Sequence, residues 1–443
     1  MREKKTESGK KIVLMGARLS ENFGGPSLFV STKMTLDTVF PDAEYTLFVP
    51  RRRNYELEMK LASRYNVRVI PCITTKLFFL ALLRKWTRVL IGSALDKATI
   101  KALEESDVII DITGIIFADT LGLNTFHNRI CGGSKFILGK IFNKPIIKYT
   151  VSAGPFNYKW NRIFARLYLR YFIDLILARD EITYQNVKAL DVKTPILVIP
   201  DTAFLLQSYE SKESKRYATL RKEKLLIGLS VSHQVQNRVS APTNYITIME
   251  EFVNYLIAKY HVRVVVIPNE SGDTRIAAQI CEKVADSCCE VLCVDSLLAQ
   301  EIKGVINQCD VIIAARYHTI VAALSLGIPT LAIGWHHKYV GVLELFEQED
   351  RLCDISDLTF EGLVSKFEDL WEDRVMIRET IIHSLPTVRK RTMKGAEEVH
   401  NHYVSFSRHP NHTSFLAATA FALIVLIYSR IINTFRLVVF RGR

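Results

Sequence analysis

The chain lacks the short signatures of the commonest enzyme sites. It has no Walker phosphate loop, no G-x-G-x-x-G turn, no nucleophile elbow and no zincin motif, which sets aside the P-loop, dinucleotide-binding, α/β-hydrolase and metallopeptidase readings. The eight cysteines (Cys72, Cys131, Cys281, Cys288, Cys289, Cys293, Cys309 and Cys353) form no C-x-x-C pair and no regular framework. Reduced core thiols are expected instead. The histidines show no metal-ligand spacing, so no metal and no cofactor is expected. No basic run interleaved with aromatics, zinc finger or RNP pattern is present, so nucleic acid is not an expected partner. The opening MREKKTESGKK lacks the apolar core of a secretory signal and, with the cysteines, points to the cytoplasm. Acid is also in deficit: 58 Lys and Arg against 46 Asp and Glu leave a formal charge of +12. That excess suits an anionic lipid or a phosphorylated substrate, unless it is simply a basic surface.

What is abundant is apolar sequence, at 49% of 443 residues. That length is too great for one ordinary core, and two α/β domains are expected. Strand-like runs occur at 11–15, 45–49, 67–71, 108–112, 146–151, 175–178 and 196–199, with helical stretches between most of them. A second series follows at 225–231, 262–268, 291–294, 311–314 and 330–333, again alternating with helices such as 245–260. Alternation of this kind predicts doubly wound parallel sheets. The division expected is an N-terminal Rossmann-like domain over 10–206, a polar linker over 207–224 and a second Rossmann-like domain over 225–385. A helical basic extension over 386–412 and an apolar, basic tail over 413–443 complete it. Phe415–Tyr428 is apolar apart from one threonine and is followed by arginines. It is shorter than the roughly twenty residues that span a bilayer, and it reads as a membrane anchor, spanning or interfacial, with a buried core helix as the alternative. Lys76–Trp86 is apolar with basic edges and reads as a core helix, or as a surface that dips into lipid. Two domains of this kind are expected to face each other across a ligand-binding cleft.

The segment Asp310–Thr319 (DVIIAARYHT) is the most informative. A buried strand ends at Ala314-Ala315, and Arg316 and His318 stand at its carboxyl end before a small-residue helix. In open α/β sheets that edge holds the ligand. Arg316 can clamp a phosphate or carboxylate, and His318 can move a proton near neutral pH; capping the strand and pairing with a carboxylate is the plainer alternative. In the first half, Asp111 ends a strand, Gly114 permits close approach, and Asp119 follows in the next loop. Either carboxylate can accept a hydroxyl proton or cap a helix. Arg179 is a second arginine at a strand's end, with pairing to Asp180 as its structural alternative. Asp201 reads as a turn cap. Lys338, in GWHHKYVG, is placed to reach a phosphate unless it is simply solvated.

These segments together resemble the polysaccharide pyruvyl transferase family. In order they are NFGGPSL, DVIIDITG with FADT, ARDEITYQNVKAL and VIPDTAFLL, then IGLSVS, VVVIPNE and the block from Asp310 to Gly341. The resemblance covers roughly residues 10 to 350. Gly25 stands where the family often has an acid, and ITGII stands where it has a fuller glycine run. The resemblance implies a glycosyltransferase-B-like fold. It also implies transfer of a pyruvyl group from phosphoenolpyruvate to two sugar hydroxyls, forming a ketal on a surface polysaccharide or its lipid-linked precursor; the tail and the amino terminus add a location at the cytoplasmic side of a membrane. Carried onto this chain, Arg316 and Arg179 would hold phosphoenolpyruvate with Lys338 in support, and Asn22, Gly24 and Gly114 would line the substrate. His318 would protonate the enol carbon, and Asp111 or Asp119 would take the sugar's proton. Two other readings stay open. One is a sugar-nucleotide glycosyltransferase of the same fold, with Glu344 as its nucleotide-binding carboxylate. The other is a non-catalytic glycan-binding scaffold at the membrane.

Overall fold

The computed structural model describes residues 9–20, 23–50, 55–72, 76–118, 137–239, 242–408 and 417–420. It divides into two compact units. Unit 1 comprises residues 1–17, 33–199 and 394–443, and unit 2 comprises 18–32 and 200–393. The division does not follow chain order: the start of the first helix, Gly24–Asp37, belongs to unit 2, and the end of the last, Phe360–Arg408, belongs to unit 1.

Unit 1 is built on strands β1 (Lys11–Met15), β2 (Glu44–Pro50), β3 (Arg68–Cys72), β4 (Val108–Asp111), β5 (Ile115–Ile116), β6 (Ile146–Ala153), β7 (Leu175–Ala178) and β8 (Ile196–Val198). The order is β3-β2-β1-β4-β6-β7-β8, with β5 on β6, and every pairing is parallel. The strands are short continuous apolar runs because both faces of such a sheet are covered. Val13, Met15 and Ile109 point to one face, where helices Lys76–Thr87, Ala94–Glu105 and Lys159–Tyr171 close a core through Phe78, Leu103 and Tyr168. Lys76–Thr87 is therefore a core helix on its inner side, with Leu77, Phe78 and Ala81 buried.

Unit 2 carries β9 (Leu226–Ser230), β10 (Arg263–Val266), β11 (Cys289–Val291), β12 (Val311–Ala314), β13 (Thr330–Gly334) and β14 (Leu352–Asp354) in the order β11-β10-β9-β12-β13-β14, all parallel. Its core includes Ile227, Val265 and Ile313 in the sheet and Phe252, Ile320 and Phe367 in the helices.

Three local expectations change. The segment 207–224 holds a helix, Lys212–Arg221, opened by a Ser211–Ser214 capping box and anchored by buried Tyr217; its polar composition masked a single buried line. Residues 386–408 do not start a new element. The helix from Phe360 runs through Pro386, with Leu385 and Val388 buried on either side, so packing holds the turn from which proline removes one hydrogen bond. The strand expected at 291–294 lies at 289–291, where Cys289 to Val291 pair with Val264 to Val266. Among the described residues no helix is long and apolar enough to cross a membrane. Of the expected anchor, only 417–420 falls among the described residues.

Candidate functional site

Strand order in unit 2 reverses between β9 and β12. A doubly wound sheet opens a crevice beyond the carboxyl ends of the two strands at such a point. Ser230 to His233 leave β9 there, and Ala315 to His318 leave β12, with the Ala315 amide donating to the Ser230 carbonyl at 2.7 Å. Arg316 is the residue before helix Tyr317–Ser325, still in extended conformation.

The Arg316 side chain is enclosed by acid. Its Nε donates to Asp273 Oδ2 at 2.8 Å and its Nη2 to Asp273 Oδ1 at 2.5 Å. Nη2 also meets Glu270 and lies 3.1 Å from His233 Nδ1. Asp273 is fully buried and also accepts from two backbone amides, His233 at 2.9 Å and Asn269 at 3.2 Å, with His233 Nδ1 3.1 Å from its Oδ1. Burial works against the charge on Arg316, but the hydrogen bonds and charges of Asp273 and Glu270 outweigh it and raise its pKa. His233, Glu270 and Asp273 bring donor atoms within 4.8 Å of one another, a grouping able to hold a metal ion. Here Arg316 supplies the cation among them.

His318 lies in the first turn of the same helix, with its ring edge-on to Tyr317 at 5.3 Å. Its Nε2 is 4.0 Å from Oδ2 of the buried Asp201, whose Oδ1 accepts from the Ala203 amide at 2.9 Å and caps the short helix Thr202–Leu205. On the other side of the imidazole is Gly24. A Cβ at that position would stand 2.6 Å from His318 Cε1 and 2.9 Å from Cγ, and nearer still to Nδ1. Glycine is what lets the start of helix Gly24–Asp37 approach the ring.

Two more cations stand around Trp335, just beyond β13. Arg238 lies over its ring at 3.9 Å and Lys338 at 5.9 Å, while Lys338 is also 5.1 Å from the Tyr317 ring. Burial lowers the Arg238 pKa, and the neighbouring Arg316 charge lowers it further. Glu344 is exposed at the end of helix His337–Glu344.

In unit 1 the order reverses between β1 and β4. Asp111 ends β4 there and is fully buried. It is ion-paired with the buried Lys148 and accepts from the Thr113 amide at 3.0 Å and from Thr113 Oγ1 at 2.5 Å. Gly16, at φ +94, leaves no room for a Cβ against Thr113 and Asp111. Gly114 presents its carbonyl to the Ser152 amide at 3.0 Å. Arg179 is buried, and its Nε and Nη2 donate to the Thr150 carbonyl at 3.0 and 2.7 Å. Thr150 has a positive φ of 48° where the β6–β7 register shifts, so Arg179 satisfies the carbonyl that the irregularity turns out of the ladder. Asp180 caps helix Glu181–Lys188 through the Thr183 amide at 2.6 Å. Asp119 and Asn22 lie outside the described residues.

Within unit 2, then, Arg316, His318 and Gly24 come together with Asp201, and Lys338 stands in the first turn of helix His337–Glu344. Asp111, Gly114 and Arg179 are in unit 1. Sequence reasoning missed His233, Glu270, Asp273 and Arg238. Glu270 follows the end of a strand and Asp273 sits in the first turn of a helix, so position relative to β10 was the available signal; Arg238 offered none.

Comparison with known proteins agrees with this architecture. The family model "Polysaccharide pyruvyl transferase" matches residues 28–337. The amylovoran biosynthesis protein AmsJ of Erwinia amylovora is 19% identical over 304 residues, covering 65% of this chain and 71% of that protein. Among solved structures, Anabaena Alr3699/HepE in complex with UDP and glucose superposes with a TM-score of 0.56 at 13% identity, over 89% of this chain and 100% of that one. A UDP-N-acetylglucosamine 2-epimerase homologue from Listeria monocytogenes gives 0.57 at 11% identity, over 92% and 99%. At these identities the structural likeness concerns the fold: two parallel-sheet α/β domains of the glycosyltransferase-B type.

Proposed function

The chain belongs to the polysaccharide pyruvyl transferase family, and from that membership we propose that it transfers a pyruvyl group from phosphoenolpyruvate to two hydroxyls of a sugar in a surface polysaccharide or its lipid-linked precursor. The relation to an amylovoran biosynthesis protein supports a place in exopolysaccharide synthesis. The observation that carries the reading is the turn after β12, where Arg316 and the helix amino terminus stand beside a histidine backed by buried Asp201.

In the proposed reaction His318, as imidazolium, protonates C3 of the enol while a sugar hydroxyl adds to C2 and gives up its proton. Phosphate then leaves C2, and the second hydroxyl adds there and loses its proton, closing the ketal. Asp201, 4.0 Å from Nε2, is the carboxylate that faces the imidazole from inside the fold. Arg316 is held rigidly by Asp273 and Glu270. Nη1 makes no hydrogen bond with a described residue and is the donor that serves a substrate oxygen. Because two carboxylates offset the Arg316 charge, a donor that carries both a phosphate and a carboxylate needs further cations. Arg238 and Lys338 fill that role, the aromatic faces of Trp335 and Tyr317 positioning them. For the acceptor's proton we retain Asp111 and Asp119, and for the donor's second anionic group Arg179. Asn22, Gly24 and Gly114 remain the proposed substrate-lining positions.

A sugar-nucleotide transferase is the second reading, favoured by solved neighbours whose complexes hold UDP or UDP-glucose. Incubation of the purified protein with phosphoenolpyruvate, or with sugar nucleotides, and a panel of lipid-linked saccharides separates them. Acceptor-dependent release of inorganic phosphate, with pyruvyl addition seen by mass spectrometry, is the expected result. Release of a nucleoside diphosphate instead would overturn it.

A further inference from the structure

Helix Lys159–Tyr171 carries more apolar surface than its domain covers. One flank, with Ala165, Tyr168 and Leu169, is buried against the sheet. Trp160, Ile163, Leu167 and Tyr171 follow at i, i+3, i+7 and i+11, a single line along a helix. They remain 68%, 37%, 39% and 38% exposed. A surface helix normally turns polar residues outward on that side. Beside the line stand Lys159, Arg162, Arg166 and Arg170, and the helix contains no acidic residue. The ion pair of Arg166 with Asp191, at 3.0 Å, is solvent-exposed and offsets little of that charge.

The feature is not isolated. Helix Lys76–Thr87 packs into the same core cluster, on the same face of the unit 1 sheet. It leaves Phe79 and Trp86 56% and 68% exposed next to Arg84 and Lys85. Ala418 is buried in that cluster too, and the sequence after it runs on as the apolar Phe421–Tyr428.

We propose that this face of unit 1 docks on an anionic lipid bilayer, with helix Lys159–Tyr171 lying in the interface. Trp160, Ile163 and Leu167 enter the boundary between headgroups and acyl chains, and Arg162, Arg166 and Arg170 meet lipid phosphates. Charge selects this occupant over two others. A second copy on a two-fold axis brings the same row of cations against itself. The chain's own residues 421–443 contain four arginines and no acid, so they repel the row rather than complement it. The inference rests on none of the chemistry proposed above.

The test uses the full chain and vesicles of phosphatidylcholine, with or without roughly one-third phosphatidylglycerol. With brominated acyl chains in the anionic vesicles, tryptophan fluorescence of the wild type is expected to be quenched, and Trp160→Phe to lose a distinct part of that quenching while still sedimenting with the vesicles. Equal quenching in the two proteins overturns the proposal. The triple variant Arg162→Gln/Arg166→Gln/Arg170→Gln, its helicity checked by circular dichroism, is expected to bind anionic vesicles on the order of tenfold more weakly. Unchanged binding overturns the proposal. So does a dimer that Trp160→Ser converts to monomer without any effect on vesicles, which would assign the stripe to a second copy.

Discussion

Gly24→Ala is the smallest change that reaches the proposed acid. The added methyl would stand 2.6 Å from His318 Cε1, and a tolerable contact begins near 3.4 Å. Either the imidazole or the helix start must therefore move by at least 0.8 Å. The helix start is tied down: the Phe23 amide donates to the Asn269 carbonyl at 3.0 Å and the Ser27 amide to the Phe23 carbonyl at 3.2 Å. The ring is the freer partner, and pushing it changes its 4.0 Å relation to Asp201. Misplacement on the ångström scale costs up to about a hundredfold in rate, and overpacking costs roughly 1–3 kcal/mol of stability. The expected outcome is a fall in kcat of between ten- and a hundredfold for acceptor-dependent phosphate release, with a small loss in urea midpoint. Gly24→Ala within twofold of wild type, at full stability, would refute the idea that His318 acts from this position.

Other consequences follow from the buried charges. Asp273→Asn keeps the shape but removes the charge that orients Arg316, and breaking such a buried pair costs about 3–5 kcal/mol; urea unfolding should show it, while Glu270→Gln, at a less buried position, costs less. Asp111→Ala strands the buried Lys148 and is expected to destabilise by a similar ~3–5 kcal/mol, whereas Asp111→Leu with Lys148→Met recovers most of that loss. If the double variant regains stability but not activity, Asp111 has a role beyond pairing. Lys303, buried and bonded to the Leu206 carbonyl, has its pKa pushed down to about 7 by burial and then by the Arg389 charge. The unfolded chain holds that proton up to the ordinary value of 10.5, so folding stability should rise as pH climbs from about 7 toward that value. Urea midpoints across that window should show the rise in wild type and a flatter course in Lys303→Met.

How much of this was legible beforehand depends on what each residue answers to. The strands 11–15, 175–178 and 311–314 were readable because a strand buried on both faces is a bare apolar run between turns. β14, three residues in a charged setting, has no such run. Helix Lys212–Arg221 looked like linker because one buried tyrosine and a serine cap decide it. The turn holding Arg316 and His318 could be placed at a strand's carboxyl end from local pattern alone. The Asp273, Glu270 and His233 shell could not, because Asp273 and His233 lie 43 and 83 residues away in sequence and their meeting depends on strand order. For the same reason the bond from the Arg179 guanidinium to the Thr150 carbonyl has no signal in the sequence.

The most direct test of the central claim is a single-turnover reaction with phosphoenolpyruvate and a lipid-linked saccharide acceptor in deuterated water, comparing wild type with His318→Gln. The account predicts a singly deuterated methyl group in the ketal, formed at least about a hundredfold more slowly by the variant, with phosphoenolpyruvate affinity little changed. Ketal formed by His318→Gln at the wild-type rate, or no pyruvyl product from the wild type with any acceptor while a sugar nucleotide is consumed, would contradict it.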